Sequence, residues 1–391
     1  MDYQVSIIGG GVCGALAALY LGKAGISTCL MDKGKPSFKL KDAHVGRTTS
    51  LNLFSIGALK ELDIWSDIKS DAQEFKEIYV WDSEGSSSIS FDSSEIARSN
   101  LGVIVHNQVM LEAIYSKLEK IPHVNILNEA TLSKVDDLSE EIRIYTKSGE
   151  EISSELLIGA DGSLSKVRDF SNISIRTWSY NQLAIVSSVK TEIPLAKTAF
   201  QIFTDTGPIA LLPLARNPSI SSLIWSTDEE YGKKILELDK SELEKELRLK
   251  TENKFGEIVF DQDINSFPLH QLHAKKFYKG RSVLIGDAAH TIHPLAGQGL
   301  NLGIADVVEL TQQIVSAHRS GKNLYDENLL SSYSKKREPE SYKMIALMEV
   351  FKRGFGSDDL LIKMGRNFAF NFADNIAPLK KRLIREAAGI T

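Results

Sequence analysis

Apolar and polar positions alternate along the chain in two different rhythms. Tyr3 to Ile8 is a short apolar run of strand length, and after a glycine-rich break an Ala/Leu helix is predicted from about Val12 to Ala24. Gly25 is placed to close that helix, and Ser27 to Met31 reads as the next strand, so the first 31 residues form a βαβ unit. A charged, loop-like stretch runs to about Gly46, and a helix is predicted from Ser55 through Leu62, ending near Trp65. Glu77 to Phe91 alternates as two strands around the Gly85–Ser88 turn, and Gln108 to Leu118 has helical spacing. Strands are expected at Val124–Leu127, Ile142–Tyr145 and Leu156–Ile158.

The rhythm changes between about Arg176 and Phe267, where β-branched and aromatic residues concentrate in Leu183–Val189, Ala199–Phe203, Ile209–Pro213 and Ser221–Trp225. This section reads as a separate sheet. From Ser282 an α/β pattern returns, with a strand at Val283–Ile285 and a helix starting near Gly299; the end, from about Pro339, reads as helical apart from a break at Gly354–Ser357. No repeat or low-complexity linker interrupts the chain.

With 391 residues and 42% hydrophobic content, the chain is large enough for one big core or two that share an interface. The formal net charge is −5, and no Lys/Arg stripe is interleaved with aromatics, which argues against nucleic acid as a partner. Cys13 and Cys29, the two cysteines, both lie in the apolar first unit and read as small buried hydrophobes suited to a reducing compartment. A strand beginning at Tyr3 leaves no room for a leader, so a cytoplasmic chain is expected. No apolar run reaches the roughly 20 residues that span a bilayer, so any membrane contact would be peripheral.

The first candidate for chemistry is Gly9-x-Gly11-x-x-Gly14, set between strand and helix, with Asp32 ending the next strand. Glycines there permit a tight turn and let backbone approach a pyrophosphate at a helix N-terminus, where unpaired N–H groups favour an anion; Asp32 would accept from a ribose. The motif does not say which dinucleotide. Two later stretches bear on that: Leu156-Leu157-Ile158-Gly159-Ala160-Asp161-Gly162-Ser163-x-Ser165-x-x-Arg168, and Gly286-Asp287-Ala288-Ala289-His290-x-x-His293-Pro294-x-Ala296-Gly297-Gln298-Gly299-Leu300-Asn301-Leu302-Gly303.

Through these three motifs, in this order and separation, the sequence resembles the group A FAD-dependent aromatic monooxygenases. Within them it is similar to the ubiquinone-biosynthesis hydroxylases, of the 2-polyprenylphenol hydroxylase type. Gly46-Arg47-Thr48, Gly207–Leu214, Ile224-Trp225-Ser226, Phe267-Pro268-Leu269 and Gly365-Arg366-Asn367 extend that resemblance over nearly the whole chain. Asp32 departs from the glutamate many relatives carry, and either acid can hold a ribose.

The resemblance implies an α/β fold: a Rossmann-like FAD-binding domain of the p-hydroxybenzoate hydroxylase type with an inserted β-rich substrate domain and C-terminal helices. The expected division is residues 1–75, 100–175 and 270–340 for the FAD-binding domain, 76–99 and 176–269 for the β-rich domain, and 341–391 for the helical region. Cofactor contacts are implied for Gly9, Gly11, Gly14, Asp32, Arg47, Gln108, Asp161, Asp287, Pro294, Gly297, Gln298, Gly299, Leu300 and Asn301. Asp287 would bind the ribitol, the segment from Pro294 to Asn301 would lie along the flavin ring, and Pro294 and Leu295 are the candidates beside the reacting edge. No catalytic base is marked by a motif.

The implied reaction is reduction of FAD by NADH or NADPH, then dioxygen, then oxygen transfer to the ring of a polyprenylated phenol. Rival readings are hydroxylation of a small soluble aromatic, an FAD-dependent isoprenoid reductase, and a non-catalytic flavin-fold scaffold. A prenylated substrate keeps open contact with the inner membrane through Leu360–Phe372 and the basic residues after it, membership of a quinone-biosynthesis complex, and a homo-oligomer.

The remaining candidates have plain structural readings. His290 and His293 are three apart but lack a third ligand, so no metal is expected. Cys13 reads as packing. Trp178, Tyr180, Phe203 and Trp225 are divided evenly between a substrate pocket and core.

Overall fold

The computed structural model describes residues 1–36, 47–83, 88–292, 297–355 and 377–390. Two large sheets carry most of the described strands. The first runs in the order Tyr278–Lys279, Ser282–Leu284, Glu151–Gly159, Tyr3–Ile8, Thr28–Met31 and Val124–Leu127, with Ile142–Thr146 attached to the Glu151–Gly159 strand and Leu132–Asp137 to Ile142–Thr146. Its centre is parallel: Tyr3–Ile8 pairs with Thr28–Met31 on one side and with Glu151–Gly159 on the other, which in turn pairs in parallel with Ser282–Leu284. Parallel strands are apolar on both faces because helices cover them, and Val5, Ile7, Leu30, Leu157, Ile158 and Val283 are all fully buried. The covering helices include Val12–Lys23, closed by Gly25 at φ +81°, together with Asn107–Leu118 and Gln298–Arg319.

The second sheet is ordered His290–Thr291, Asn265–Ala274, Ile175–Thr191, Ile220–Asp228, Gly207–Pro213, Thr198–Thr204, Glu77–Asp82 and Ser88–Asp92. It is antiparallel throughout, apart from the Thr198–Thr204 and Glu77–Asp82 pair. Alternation divides its residues between two faces. Leu223 and Trp225, with Ile185, Val189, Ile209 and Leu211, face a core closed by Ile235, Leu243 and Leu247. These last three sit on helices Glu229–Leu236 and Lys240–Lys250, which the strand-like composition of this section had hidden. The opposite face carries Val186, Ala210 and Ile224 side by side, and each of them is only half-buried.

The two halves interleave at their strands rather than at a linker. His290–Thr291, which directly follows the first-sheet strand Ser282–Leu284 and its turn, pairs antiparallel with Asn265–Ala274 of the second sheet. A third sheet of Thr48–Asn52, Gly102–His106 and Gln73–Phe75 lies between them, and the Ser222 hydroxyl meets that of Thr48 at 2.7 Å. Helix Glu327–Phe355 starts before Pro339 and runs through it; Leu330, Tyr333, Ser334, Arg337 and Ser341 are buried along it, and that packing outweighs one missing N–H. The end of the expected Gly354–Ser357 break and the Leu360–Phe372 stretch lie outside the described residues, as do three of the four residues of the Gly85–Ser88 turn. No helix among the described residues is long and apolar enough to cross a membrane.

Arg281 anchors the strand that leads into the Gly286 turn. Its guanidinium is buried and donates to the carbonyls of Leu138, Glu155 and Ser139 at 3.2, 3.2 and 2.5 Å, while lying 3.5 Å over the Tyr325 ring. Arg281→Met would remove all three of these bonds and the stacking on Tyr325. We expect a loss of about 2–4 kcal/mol in urea unfolding.

Candidate active site

The Gly9-x-Gly11-x-x-Gly14 turn assigns each glycine a different task. Gly9 has φ +108°, and a Cβ there would sit 2.3 Å from the Ala160 carbonyl oxygen. A Cβ on Gly14 would sit 1.9 Å from the Gly9 carbonyl oxygen, so these two allow strand, turn and helix to touch. A Cβ on Gly11 would meet nothing within 4 Å. Gly11 also begins helix Val12–Lys23, and no side chain caps that end. The turn therefore presents free space and a positive helix terminus, which is what a pyrophosphate needs.

Asp32 stands beside this terminus. One carboxylate oxygen accepts from the Gly10 amide at 2.6 Å and the other from the Gly34 amide at 2.8 Å. The Tyr115 hydroxyl donates to the Gly10 carbonyl at 2.9 Å, and burial, with the charge of Asp32, pushes its pKa up to about 12. Tyr115 had no signal in the sequence beyond helical spacing.

Asp161 follows the strand that touches Gly9. Its carboxylate accepts from the Ser165 hydroxyl and from the amides of Lys166 and Val167 at 2.6 and 3.2 Å, so it caps the Lys166–Phe170 helix. Burial raises its pKa, against those hydrogen bonds. Arg168, itself buried, donates to Ala288 O at 3.0 Å and Ser163 O at 2.9 Å and so ties this turn to the next motif.

In that motif Gly286 takes φ +58° and opens the short turn Gly286–Ala288. Asp287 is half-buried, and its carboxylate accepts no hydrogen bond among the described residues. Arg47 and Gln108 come together because the Asn107 amide donates to the Arg47 carbonyl at 2.9 Å. Arg47 is exposed, and the Gln108 side-chain oxygen is buried without a partner among the described residues. Helix Gln298–Arg319 starts from Gly297, left-handed at φ +62°, again with no side-chain cap; Gln298, Gly299 and Leu300 are half-buried in its first turn. Asn301 is engaged inside the protein: it donates to Ser50 O at 2.7 Å and accepts from the Asn52 amide at 3.0 Å and the Ser55 hydroxyl at 2.7 Å. Its geometry suits holding the helix start in place. Pro294 and Leu295, with His293, lie outside the described residues.

The first and third motifs meet at Cys13. A Cβ on Gly303 would come within 2.6 Å of its sulfur and one on Gly286 within 3.1 Å. Burial raises the thiol's pKa, and Asp287 and Asp306 push the same way, so it stays protonated and acts as packing. Of the four aromatics, Trp225, Phe203 and Tyr180 are buried in separate apolar clusters. Trp178 is half-buried and donates to Glu349 at 3.4 Å.

Sequence reasoning missed a buried polar cluster behind the Gly286 turn, in which His290 Nε2 lies 2.6 Å and Arg337 Nε 2.7 Å from Asp306. Besides His290, its trace in the sequence was Asp306, the one acid in the apolar stretch Leu302–Val308.

The orphaned Gln108 oxygen, the unpartnered Asp287 carboxylate, the open Gly11 and two uncapped helix starts fit an adenine-flavin dinucleotide. Fold and site together define a dinucleotide-binding flavoprotein. The model of the FAD binding domain family matches residues 2–347, and the chain belongs to that family, falling among its flavoprotein hydroxylases. It is 30% identical to the 3-demethoxyubiquinol 3-hydroxylase of Escherichia coli, over 99% of this chain and 98% of that protein. It is 29% identical to the ubiquinone hydroxylase UbiL of Rhodospirillum rubrum, over 99% and 89%. In fold it is similar to p-nitrophenol 4-monooxygenase PnpA of Pseudomonas putida, with a TM-score of 0.82 at 19% identity over 99% and 98% of the two chains.

The glycines should separate by experiment. Gly11→Val and Asp287→Ala are expected to fold, with apoprotein melting temperatures near wild type, yet to purify without yellow FAD. Gly9→Ala should lose thermal stability itself, because both its φ and its contact with Ala160 forbid a side chain.

A second expectation concerns acid. His273 is fully buried, with Nε2 2.8 Å from the Ser341 hydroxyl; burial, then the neighbouring His290, lowers its pKa from 6.5 to about 4. Between those values the unfolded chain takes up a proton and the folded one does not. Stability should therefore hold above pH 6.5 and fall below it, by on the order of 2–3 kcal/mol at pH 4. Urea midpoints against pH should show a smaller slope between 6.5 and 5 for His273→Gln.

Proposed function

We propose that the chain hydroxylates the aromatic ring of a prenylated phenol or quinol, as one step of ubiquinone biosynthesis. The carrying observation is the sheet face opposite Trp225. Val186, Ala210 and Ile224 stand half-buried there on three neighbouring strands, while the other face of the same strands is closed. Ser222, two residues before Ile224 and on the same face, is hydrogen-bonded to Thr48, next to Arg47, so this apolar face opens toward the residues that would hold the cofactor. An isoprenoid tail matches such a surface better than a carboxylate would. The full-length similarity to ubiquinone hydroxylases supports the same substrate class.

In this reading the two sheets are two functional halves. The uncapped Gly11 terminus holds the pyrophosphate, Asp32 a ribose, and Asp287 the ribitol, while Arg47 and Gln108 add contacts from the third sheet. Bound FAD, reduced by NADH or NADPH, supplies the activation of dioxygen and the oxygen transfer. The protein's own part is to orient the ring with the half-buried face, exclude water, and place the helix start at Gly297 where negative charge is favoured.

FAD-loaded protein should oxidise NADH or NADPH and consume oxygen faster when a short-chain prenylphenol is added, and mass spectrometry should find a product heavier by one oxygen atom. Stimulation by soluble phenols or benzoates alone would overturn the prenyl assignment. Turnover with a reduced isoprenoid double bond and no oxygen uptake would overturn hydroxylation.

A further inference from the structure

We propose that Asp306 is a positioning residue for the flavin: through its bond to the Gly286 amide, it sets the Gly286–Ala288 turn against the helix that starts at Gly297. This rests on the FAD reading of the site and goes beyond the contacts already assigned, because Asp306 is fully buried behind the turn.

One Asp306 oxygen accepts from the Gly286 amide at 3.1 Å and from His290 Nε2 at 2.6 Å. The other accepts from Arg337 Nε at 2.7 Å. Arg337 also donates to Leu302 O, at 3.2 Å, in the first turns of the Gln298–Arg319 helix. One carboxylate thus joins the flavin turn, the strand after it, the flavin helix and helix Glu327–Phe355. Gly286 is the residue directly before Asp287, so the bond to its amide fixes where the unpartnered Asp287 carboxylate stands. Gly286 has φ +58°, and the Cys13 sulfur packs against it, so both Cys13 and Asp306 hold the turn.

The charge arrangement agrees. Burial works to raise the Asp306 pKa, and His290 and Arg337 overcome it, leaving the carboxyl below its ordinary value and ionised. An ionised carboxylate accepts from three donors more strongly than a neutral acid, which would also have to place a proton of its own among them. A buried ion pair is by itself poor evidence of a role in stability, since apolar replacement of both partners is often neutral. Its specific contribution here is an acceptor for the Gly286 amide.

Two double variants separate positioning from bulk stability. Asp306→Asn with Arg337→Met and Asp306→Leu with Arg337→Met are both uncharged at the pair, but only the asparagine keeps an oxygen for the Gly286 amide. The measurements are the FAD Kd of each apoprotein, from quenching of flavin fluorescence, and its melting temperature without FAD. We expect the leucine variant to bind FAD about tenfold more weakly than the asparagine variant, at similar melting temperatures. Equal affinities, or affinities that merely follow the melting temperatures, would overturn the proposal. Should the leucine variant not accumulate as folded protein, Asp306→Ser with Arg337→Met, too short to reach the amide, takes its place in the comparison. Wild-type apoprotein that fails to bind FAD would instead overturn the cofactor reading beneath it.

Discussion

Backbone packed against backbone, with no side chain between, is the constraint on which the rest of this structure depends. Gly9 lies on Ala160, Gly14 on Gly9, and Gly303 on Gly286 with the Cys13 sulfur beside them; a Cβ would collide at Gly9, Gly14 and Gly303 and would be tight at Gly286. Segments about 130 to 290 residues apart in sequence are thereby brought to one point. The close approach leaves open ground at Gly11, where the helix terminus is bare. A site for a long, extended dinucleotide needs both properties, since the ligand must touch backbone at several places while the walls stay fixed.

The second sheet solves a different problem. A sheet with one face sealed by helices and one face partly open cannot be satisfied by its own chain, because half-buried Val186, Ala210 and Ile224 remain in contact with water. The third sheet, through the Thr48–Ser222 bond, fixes how that open face meets the first sheet. The pairing of His290–Thr291 with Asn265–Ala274 fixes it from the other end. The turn at Gly286 is thus connected to both halves, and movement of one sheet relative to the other would be felt there first.

Much of this was legible in the sequence where one residue type has one physical use. Gly9, Gly11 and Gly14 with Asp32 marked a strand–turn–helix unit, and the alternation between Leu183 and Trp225 marked the second sheet. Helices Glu229–Leu236 and Lys240–Lys250 were not foreseen, because they are short and bury only a few apolar residues each, so their signal is weak beside the flanking strands. The strand Thr48–Asn52 was also missed; it is polar and earns its place through pairing with Gly102–His106. Asn301 matched the flavin motif, yet its side chain faces Ser50, Asn52 and Ser55, a role that spacing cannot distinguish from ligand contact. Tyr115, Asp306 and Arg337 act across long sequence separations, and no local pattern encodes a hydrogen bond of that kind.

Two acids, Asp32 and Asp287, beside a site meant for an anionic pyrophosphate require an electrostatic account. Asp32 is already matched by two backbone amides, Gly10 and Gly34, which spread its charge into the same amide-rich loop that would receive the phosphates. Asp287 lies near Cys13 and so near the start of the first helix, whose terminus is positive, and Arg47 acts on the same thiol in the opposite sense. Asp161, the third acid, is turned inward onto the Lys166 and Val167 amides. Asp32 and Asp161 are therefore matched by the chain's own amides, while the helix starts at Gly11 and Gly297 carry no side-chain cap. This separation would let one small volume accept both the sugars and the charged linkage of a dinucleotide without a lysine cluster, consistent with the chain's modest negative charge.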